Sequence, residues 1–507
     1  MKKLALGLMT SLVIATSAEA MPQTTKIIIE GATILPEEVV ESILKEYQSP
    51  YSSETIQAIT DKITKYYIEQ GYSNSGAYLS QEYLDPDTGI VTISVLEGKI
   101  GKISINETGG QKLSDRYIES RLGISTPLNT NELLDSLERL RGSDTIEVVN
   151  ARLVSGLIPG ENNLIVDIES EAPLQLQIVT DNDTNSPAIG TVRRGIEADY
   201  SSAFFSGDRI SASYFNSEGS DVLEAGYRLP LNKRNGTLQF GFALSDSDIV
   251  EEPFDPLNIE FRTEEYVLGF NQPISNDFSL GLEFNHTYAE SFLLGERFAL
   301  SPGASELGQT RVSKLVFSQR YDRRSETSYF GFSSRFNLGV NLFNATINTD
   351  GGPDSSFVSW EGEFAHAKEL GFNTLLTNIA RINLTPNSLL PVEQFRIGGP
   401  TTVRGFRRNA VGADNGFSLN SEIRLPVTNS QNLLIQAIPF VDLGYAWNNE
   451  NSLSLEDQFL ASFGLGLNLR LGGFNARLDY GIPLVDIENQ GDSLQEEGFY
   501  FSLSNRF

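Results

Sequence analysis

From Pro173 onward the chain alternates apolar and polar residues in runs of about ten, and this pattern restricts the fold more than any other. Phe463, Leu465, Leu467, Leu469 and Leu471 interleave with Ser462, Gly464, Gly466, Asn468 and Arg470. Leu238, Phe240, Phe242 and Leu244 interleave with Gln239, Gly241 and Ala243. Successive side chains of a strand point to opposite faces, so each run builds one apolar face and one small or polar face. A soluble sandwich would set its apolar face against a core and charged lysines outside. Here the non-apolar face suits a hydrated lumen and the apolar face suits lipid, which predicts a transmembrane β-barrel. About sixteen runs can be counted, the even number expected of a single-chain barrel. They lie near Leu174, Val192, Arg209, Val222, Leu238, Glu265, Phe278, Val312, Ser328, Val358, Asn373, Ser418, Leu434, Ala461, Phe474 and Phe499. Leu229–Asn232, Asn271–Ile274 and Leu425–Thr428 read as tight turns, and 245–261 and 289–310 as longer loops. Short turns belong on the periplasmic side and long loops outside.

The bulk numbers narrow the function. Asp and Glu total 66 against 38 Lys and Arg, a balance that argues against a nucleic-acid partner. There is no cysteine, hence no disulfide, thiolate metal site or cysteine nucleophile. The two histidines, His286 and His366, leave little for a metal site or a Ser-His-Asp triad and are expected on strands or near the interface. No phosphate-cradling GxxxxGK[ST] sequence occurs. The expectation is therefore a protein without catalytic residues, metal or cofactor. The acidic pairs Glu264-Glu265 and Glu496-Glu497 read as solvated strand ends. At the N-terminus Lys2 and Lys3 precede the apolar run Leu4–Ala15 and the small-x-small triplet Ala18-Glu19-Ala20. That is a secretory signal over residues 1–20, too short to span a membrane comfortably, with the mature chain starting at Met21.

Between signal and barrel the period changes. Lys26–Glu30 is a short strand, Pro36-Glu37-Glu38 opens a helix, and Ser53-Glu54 opens another carrying Ile56, Ile59, Ile63, Tyr66 and Tyr67 at helical spacing. Gly71 stops it, and strands near Ala77–Tyr83 and Ile90–Leu96 flank the turn Asp85–Gly89. The order strand, helix, helix, strand, strand then repeats with Ile100–Asn106, Ser114–Leu122, Asn131–Leu140, Glu147–Ser155 and Asn163–Glu169. Two α/β domains are predicted, over residues 24–98 and 99–171. Val95-Leu96-Glu97-Gly98 closes the first, and both modules resemble POTRA domains, the periplasmic protein-binding units that precede outer-membrane barrels. Their open sheet edges would accept an extended peptide by β-augmentation.

One stretch breaks the barrel pattern. Gln394–Gly416 has no alternation, is rich in glycine and arginine, and centres on Val403-Arg404-Gly405-Phe406. With periplasmic modules the first strand runs outward, so this loop, within 385–416 of a barrel over 173–507, is the sixth external loop. Signal, paired modules, sixteen strands and Val403-Arg404-Gly405-Phe406 together resemble the two-partner secretion transporters (TpsB) of the outer-membrane insertase superfamily. The resemblance implies that the motif folds into the lumen and that Arg404 pairs with an aspartate on strand thirteen. The matching segment is Phe440-Val441-Asp442-Leu443-Gly444, where alternation places Phe440, Asp442 and Gly444 on the inward face. A carboxylate in a barrel wall needs a partner, and arginine supplies an always-charged fork. Gly405 permits a tight turn, and Phe406 can wedge against the wall. The alternative is that Arg404 is a solvated loop arginine like Arg407 and Arg408.

Phe499, Phe501, Leu503 and Phe507 share a face and resemble the C-terminal recognition signal of outer-membrane barrels, although Asn505 interrupts them. Few residues separate Ala20 from the first strand, so no plug helix is expected and the sixth loop becomes the main lumen filler. The implied function is an outer-membrane pore of a Gram-negative cell that takes an unfolded TpsA-like exoprotein, a haemolysin or adhesin, from the periplasm to the surface. Its partners would be that cargo, outer-membrane lipid and the barrel assembly machinery. An insertase for other barrels is the alternative, and a passive porin, which needs neither POTRA-like repeats nor the loop motif, comes after it.

Overall fold

The computed structural model describes residues 24–85, 88–110, 113–143, 145–349, 351–430, 432–449, 458–487, 491 and 493–507. The expected signal peptide and the centre of the Asp85–Gly89 turn lie outside the described residues.

The first module comprises β1 (Lys26–Glu30), α1 (Glu37–Lys45), α2 (Ser53–Glu69), β2 (Gly76–Asp85) and β3 (Ile90–Leu96). Its sheet has the order β1-β3-β2, with β1 parallel and β2 antiparallel to the central strand. Pro36 precedes α1 and Glu37 and Glu38 fill its first turn, where acids meet the positive end of the helix dipole. Ser52 caps α2 by accepting from the Thr55 amide at 3.2 Å. Ile56, Ile59, Ile63 and Tyr67 form the buried stripe of α2, packed with Val91, Ile93 and Val95 of β3. The Glu97 carboxylate accepts from the Thr33 amide at 2.7 Å, the Thr33 hydroxyl at 2.6 Å, the Ile34 amide at 3.3 Å and the Tyr67 hydroxyl at 2.7 Å. It thus stitches the end of β3 to the loop before α1. The second module repeats the element order with β4 (Lys99–Gly109), α3 (Asp115–Leu122), α4 (Thr130–Arg141), β5 (Ile146–Ser155) and β6 (Glu161–Ser170), in a sheet of order β4-β6-β5.

The remainder forms a closed antiparallel barrel of sixteen full strands. The first eight are β7 (Leu174–Asp181), β8 (Arg193–Ser201), β9 (Arg209–Asn216), β10 (Ser220–Pro230), β11 (Thr237–Asp248), β12 (Glu260–Pro273), β13 (Phe278–Leu293) and, after the two-residue β14 (Glu296–Arg297), β15 (Gln309–Arg324). The ninth to eleventh are β16 (Ser328–Gly339), β17 (Val358–Gly371) and β18 (Thr374–Leu384). A small hairpin, β19 (Phe395–Ile397) and β20 (Val411–Ala413), interrupts before β21 (Asn415–Asn429), β22 (Leu433–Trp447), β23 (Gln458–Leu471), β24 (Phe474–Pro483) and β25 (Phe499–Arg506). β25 pairs with β7 to close the ring. The faces invert the logic of a soluble core. Val441, Leu465 and Leu467 are about half exposed on the outside, whereas Asp442 and Ser462 are fully buried within. The outward apolar band is what lipid requires.

From β10 onward connections alternate in length, whereas 217–219, between β9 and β10, is shorter than 202–208 before it. Connections at 231–236, 274–277, 325–327, 372–373, 430–432 and 472–473 are short, and those at 249–259, 294–308, 340–357, 385–414 and 484–498 are long. Three readings need correction. Leu425–Thr428 is no turn: it lies within β21, where a register shift between Pro426 and Thr428 absorbs the proline, and the chain reverses at 430–432. The loops expected at 245–261 and 289–310 are shorter, because β11, β12, β13 and β15 run beyond ten residues. Glu264 and Glu265 sit within β12, not at its end.

Candidate functional site

The loop between β18 and β21 is drawn inward by its own hairpin. β19 and β20 pair over Phe395–Ala413, Arg396–Gly412 and Ile397–Val411, which projects residues 398–410 as a tip. Asp414 fixes the base by accepting from the Leu389 amide at 2.8 Å and the Asn449 amide at 3.0 Å. On the outgoing arm, Glu393 pairs with Lys314 of β15 at 2.6 Å. Burial raises the Glu393 carboxyl, and Lys314 only partly offsets this.

At the tip, the structure places Arg404 against Asp442 of β22. Nε lies 2.7 Å from Oδ2 and Nη2 lies 2.9 Å from Oδ1, a bidentate pair, and the Arg404 amide also donates to Oδ2 at 3.1 Å. The guanidinium stacks 3.4 Å from the Phe440 ring centre. Its Nη1 also faces Glu422 of β21 at 3.3 Å and Asp479 of β24 at 3.5 Å. Glu422 is shared with Arg424 at 2.7 Å and Arg477 at 2.9 Å, and Asp479 pairs with Arg477 at 2.6 Å. Three arginines therefore balance three carboxylates, with Arg404 and the three carboxylates buried and Arg424 and Arg477 partly exposed, and such pairing is the condition under which buried charge is tolerable. Burial alone would lower the Arg404 pKa, but the bond and charge of Asp442 together with the charges of Asp479 and Glu422 outweigh it and the group is held above its usual value.

The motif's other residues fill the same socket. Val403 and Phe406 are fully buried with Ile397, Val411, Ala413, Ala446 and Leu460. Gly405 has φ +96, a conformation that strains other residues. The wall is hollowed to receive the tip. A Cβ on Gly444 would stand 2.8 Å from Val403 Cγ2 and one on Gly481 would stand 2.6 Å from the Gly405 nitrogen, while Gly464 leaves room for the Phe440 ring that lies under Arg404. Tyr500, inward on β25, accepts from the Gly405 amide at 2.8 Å and donates to the Phe406 carbonyl at 2.6 Å. A cavity of about 510 Å³ abuts the tip, bounded by Pro400, Thr401 and Arg404 and by wall residues such as Ala365, Ile379 and Arg424.

Sequence reasoning named Val403, Arg404, Gly405, Phe406, Phe440, Asp442 and Gly444, and the structure brings all seven together. It omitted Glu422, Asp479, Arg477 and Tyr500, though alternation along β21, β24 and β25 puts each inward. It also misjudged three charged residues outside the motif. Arg407 and Arg408 are not solvated: Arg407 meets Glu496 at 2.9 Å and Glu251 at 3.1 Å, and Arg408 pairs with Asp183. Glu496 is not a solvated strand end but a buried carboxylate accepting from the Gly491 amide at 2.7 Å and the Ser493 amide at 2.8 Å. Burial would raise its pKa, but the bonds from Ser493 and Gly491 and the nearby Arg407 charge hold it below the usual glutamate range. Phe499 and Leu503 face outward on β25, and the Phe507 amide donates to the Leu176 carbonyl at 2.9 Å. Among the described residues, no group of three or more His, Cys, Asp or Glu is disposed to hold a metal ion.

With this geometry in hand, comparison places the chain among known proteins. The family described as haemolysin secretion/activation protein ShlB/FhaC/HecB matches residues 160–469, and the POTRA domain of ShlB type matches residues 23–98. The outer membrane transporter CdiB of Dickeya dadantii (strain 3937) is 20% identical over 78% of this chain and 71% of its own. The hemolysin transporter protein ShlB of Serratia marcescens is 23% identical over 80% of this chain and 74% of its own. The solved structure of CdiB from Escherichia coli superposes with a TM-score of 0.75 at 19% identity, covering 98% of this chain and 93% of that one.

Proposed function

The chain belongs to the haemolysin secretion/activation family of outer-membrane transporters, and from that premise we propose how its pore is kept shut and how cargo enters it. It is an outer-membrane protein of two-partner secretion with its POTRA modules in the periplasm. In our reading the sixth external loop is the gate, and the Arg404–Asp442 pair is the latch that seats it in the lumen. The observation that carries this reading is a guanidinium 2% exposed, at the tip of a connection between strands, bonded to a fully buried wall carboxylate. Loop arginines ordinarily stay in water. This one is withdrawn into a neutral six-charge cluster, so the loop cannot leave without separating buried ions. The free sheet edges of the α/β modules receive an extended segment of an unfolded exoprotein by β-augmentation. The cargo then displaces the tip and passes through the lumen. Phe499, Phe501, Leu503 and Phe507 form the strand read by the barrel assembly machinery during biogenesis.

Arg404→Ala tests the gate. The barrel is expected to remain inserted while surface export of the exoprotein falls, and unchanged export would refute the latch. Deleting residues 398–414 is expected to raise conductance in planar bilayers, since the lumen loses its filler. The insertase reading is less supported by the family match, and it would regain ground if other barrels failed to assemble while export persisted.

A further inference from the structure

The ring of strands is held unevenly. β12 and β13 pair through fourteen residue pairs, from Glu260–Phe292 to Pro273–Ser279. The closing seam between β25 and β7 has five, from Ser502–Asp181 to Arg506–Gln177. Beyond Asp181 the seam is continued by a side chain. The Asn182 amide group donates from Nδ2 to the Phe499 carbonyl at 2.8 Å and accepts on Oδ1 from the Phe501 amide at 2.8 Å. Its backbone amide also reaches the Phe501 carbonyl at 3.3 Å. One asparagine, 1% exposed, thus replaces ladder bonds at the outer end of the seam. Its orientation is forced, because a carbonyl needs the NH₂ and an amide needs the oxygen.

Asn182 is itself tied to the gating loop. Its carbonyl accepts from Nε2 of Gln495, and Oε1 of Gln495 accepts from the Arg408 amide at 2.7 Å. Gln495 is 1% exposed, and its own carbonyl accepts from the Gly498 amide at 3.0 Å, which fixes the stem of the side chain. Four residues from Arg404, the loop backbone is therefore joined through one glutamine to the residue that fastens the first strand to the last. Withdrawal of the tip removes the acceptor's partner, leaving the Gln495 oxygen unsatisfied in a buried place, and such a group re-bonds or moves.

We propose that Gln495 and Asn182 are positioning residues that couple the seating of the sixth loop to the closure of the seam between β7 and β25, so that unlatching the loop and loosening the outer end of the seam are one event. This rests on the loop acting as the gate. Its use to an exoprotein carrier is width: a ring fixed at sixteen paired strands admits one bore, whereas a ring that loosens with its gate admits a bulkier chain.

The test is hydrogen exchange at residues 499–501 in the full-length protein in lipid nanodiscs, with loop release followed by trypsin cleavage at Arg407 and Arg408. Asn182→Ala should speed exchange at the Phe501 amide about tenfold, the size expected from losing one or two buried hydrogen bonds. Gln495→Glu keeps the acceptor for Arg408 but loses the donor to Asn182, so it should loosen the seam while the loop stays protected. Arg404→Ala should release the loop and speed exchange at 499–501 in the otherwise native protein, but add nothing in a Gln495→Ala background. Independent, multiplying effects of Arg404→Ala and Gln495→Ala would overturn the coupling. So would a released loop with an unchanged seam, which leaves the gate intact as a reading and removes only the relay. If Arg404→Ala leaves the loop protected from trypsin, the gate itself fails, and the relay falls with it for want of a moving end.

Discussion

Glu97 of the first α/β module, partly exposed, and Asp442 of the barrel, fully buried, are both carboxylates held by several donors, and they are satisfied by opposite means. Glu97 sits beside an apolar core and is held by neutral donors, two amides and two hydroxyls, supplied by the loop before α1 and by α2. Asp442 sits on the polar inner face of a wall whose other side is apolar, and its main partner is a full positive charge carried in by a loop. The neutral donors to Glu97 lie on a short loop tethered between β1 and α1 and on the buried face of α2, so they stay close to it. A charge on a loop stitches conditionally, because the loop has an alternative in water where arginine is well solvated. One arrangement makes a fold, and the other, on the proposed gate, makes a switch.

The sharpest way to break the contrast is Asp442→Ala. It removes the bidentate partner of Arg404 and leaves a buried cation with Glu422 and Asp479 at longer range, a loss of about 3–5 kcal/mol in the tip's attachment. Trypsin should then cut at Arg407 and Arg408 in proteoliposomes, with the barrel still resistant. An intact loop would mean that the apolar wedge of Val403 and Phe406 suffices. Next comes the face beside it. Val441→Lys places a charge in the outward band one residue from Asp442 and should cost about 2–4 kcal/mol near the bilayer centre. The readout is the fraction of heat-modifiable, folded barrel. Glu97→Ala should cost the first module about 0.5–1.5 kcal/mol, the net worth of a hydrogen bond where water can replace the lost carboxylate at the Thr33 amide. Faster hydrogen exchange confined to residues 24–98, with no change in the barrel, checks it.

The smallest effect is pH. Burial would raise the Glu97 carboxyl, but bonds from Thr33 and Tyr67 and from the Thr33 and Ile34 amides hold it below the usual range. A carboxyl depressed in the folded state adds stability that is fully present above its unfolded value near 4.5 and lost as pH falls through the folded one. Glu496 has the same sign at the outer rim. Exchange in the first module and trypsin protection at Arg407 should both be flat from pH 7 to about 5 and weaken only below about 4.5. A change near pH 6 would point to a different group.

Much of this was legible in the sequence because period two is a long-range statement written locally. Sixteen runs, each read by itself, sufficed to number the loop and to turn Asp442 inward. The same alternation holds Glu422, Arg477 and Asp479 and was simply not followed that far. Other features were illegible for physical reasons. The partners of Arg407 and Arg408 stand on loops with no period, some 156 and 225 residues away, and only closure of the ring brings them near. Glu97 was seen as part of a motif, but its donors lie 63 and 64 residues earlier at Ile34 and Thr33. The Pro426 irregularity looks like a turn because proline commonly sits at a turn's second position, and a bulge within a strand answers the same constraint.

Gly444 on β22 and Gly481 on β24 form the hollow that accepts the tip. If the tip leaves, as proposed, the hollow remains as two patches of bare backbone on the inner wall. A polypeptide sliding past meets no side chain at those two glycines, while Phe440, Ala446 and Leu460 beside them offer it an apolar surface. On the proposed gate, the two glycines that let the wall fit its stopper would leave it, when open, with gaps flanked by an apolar lining.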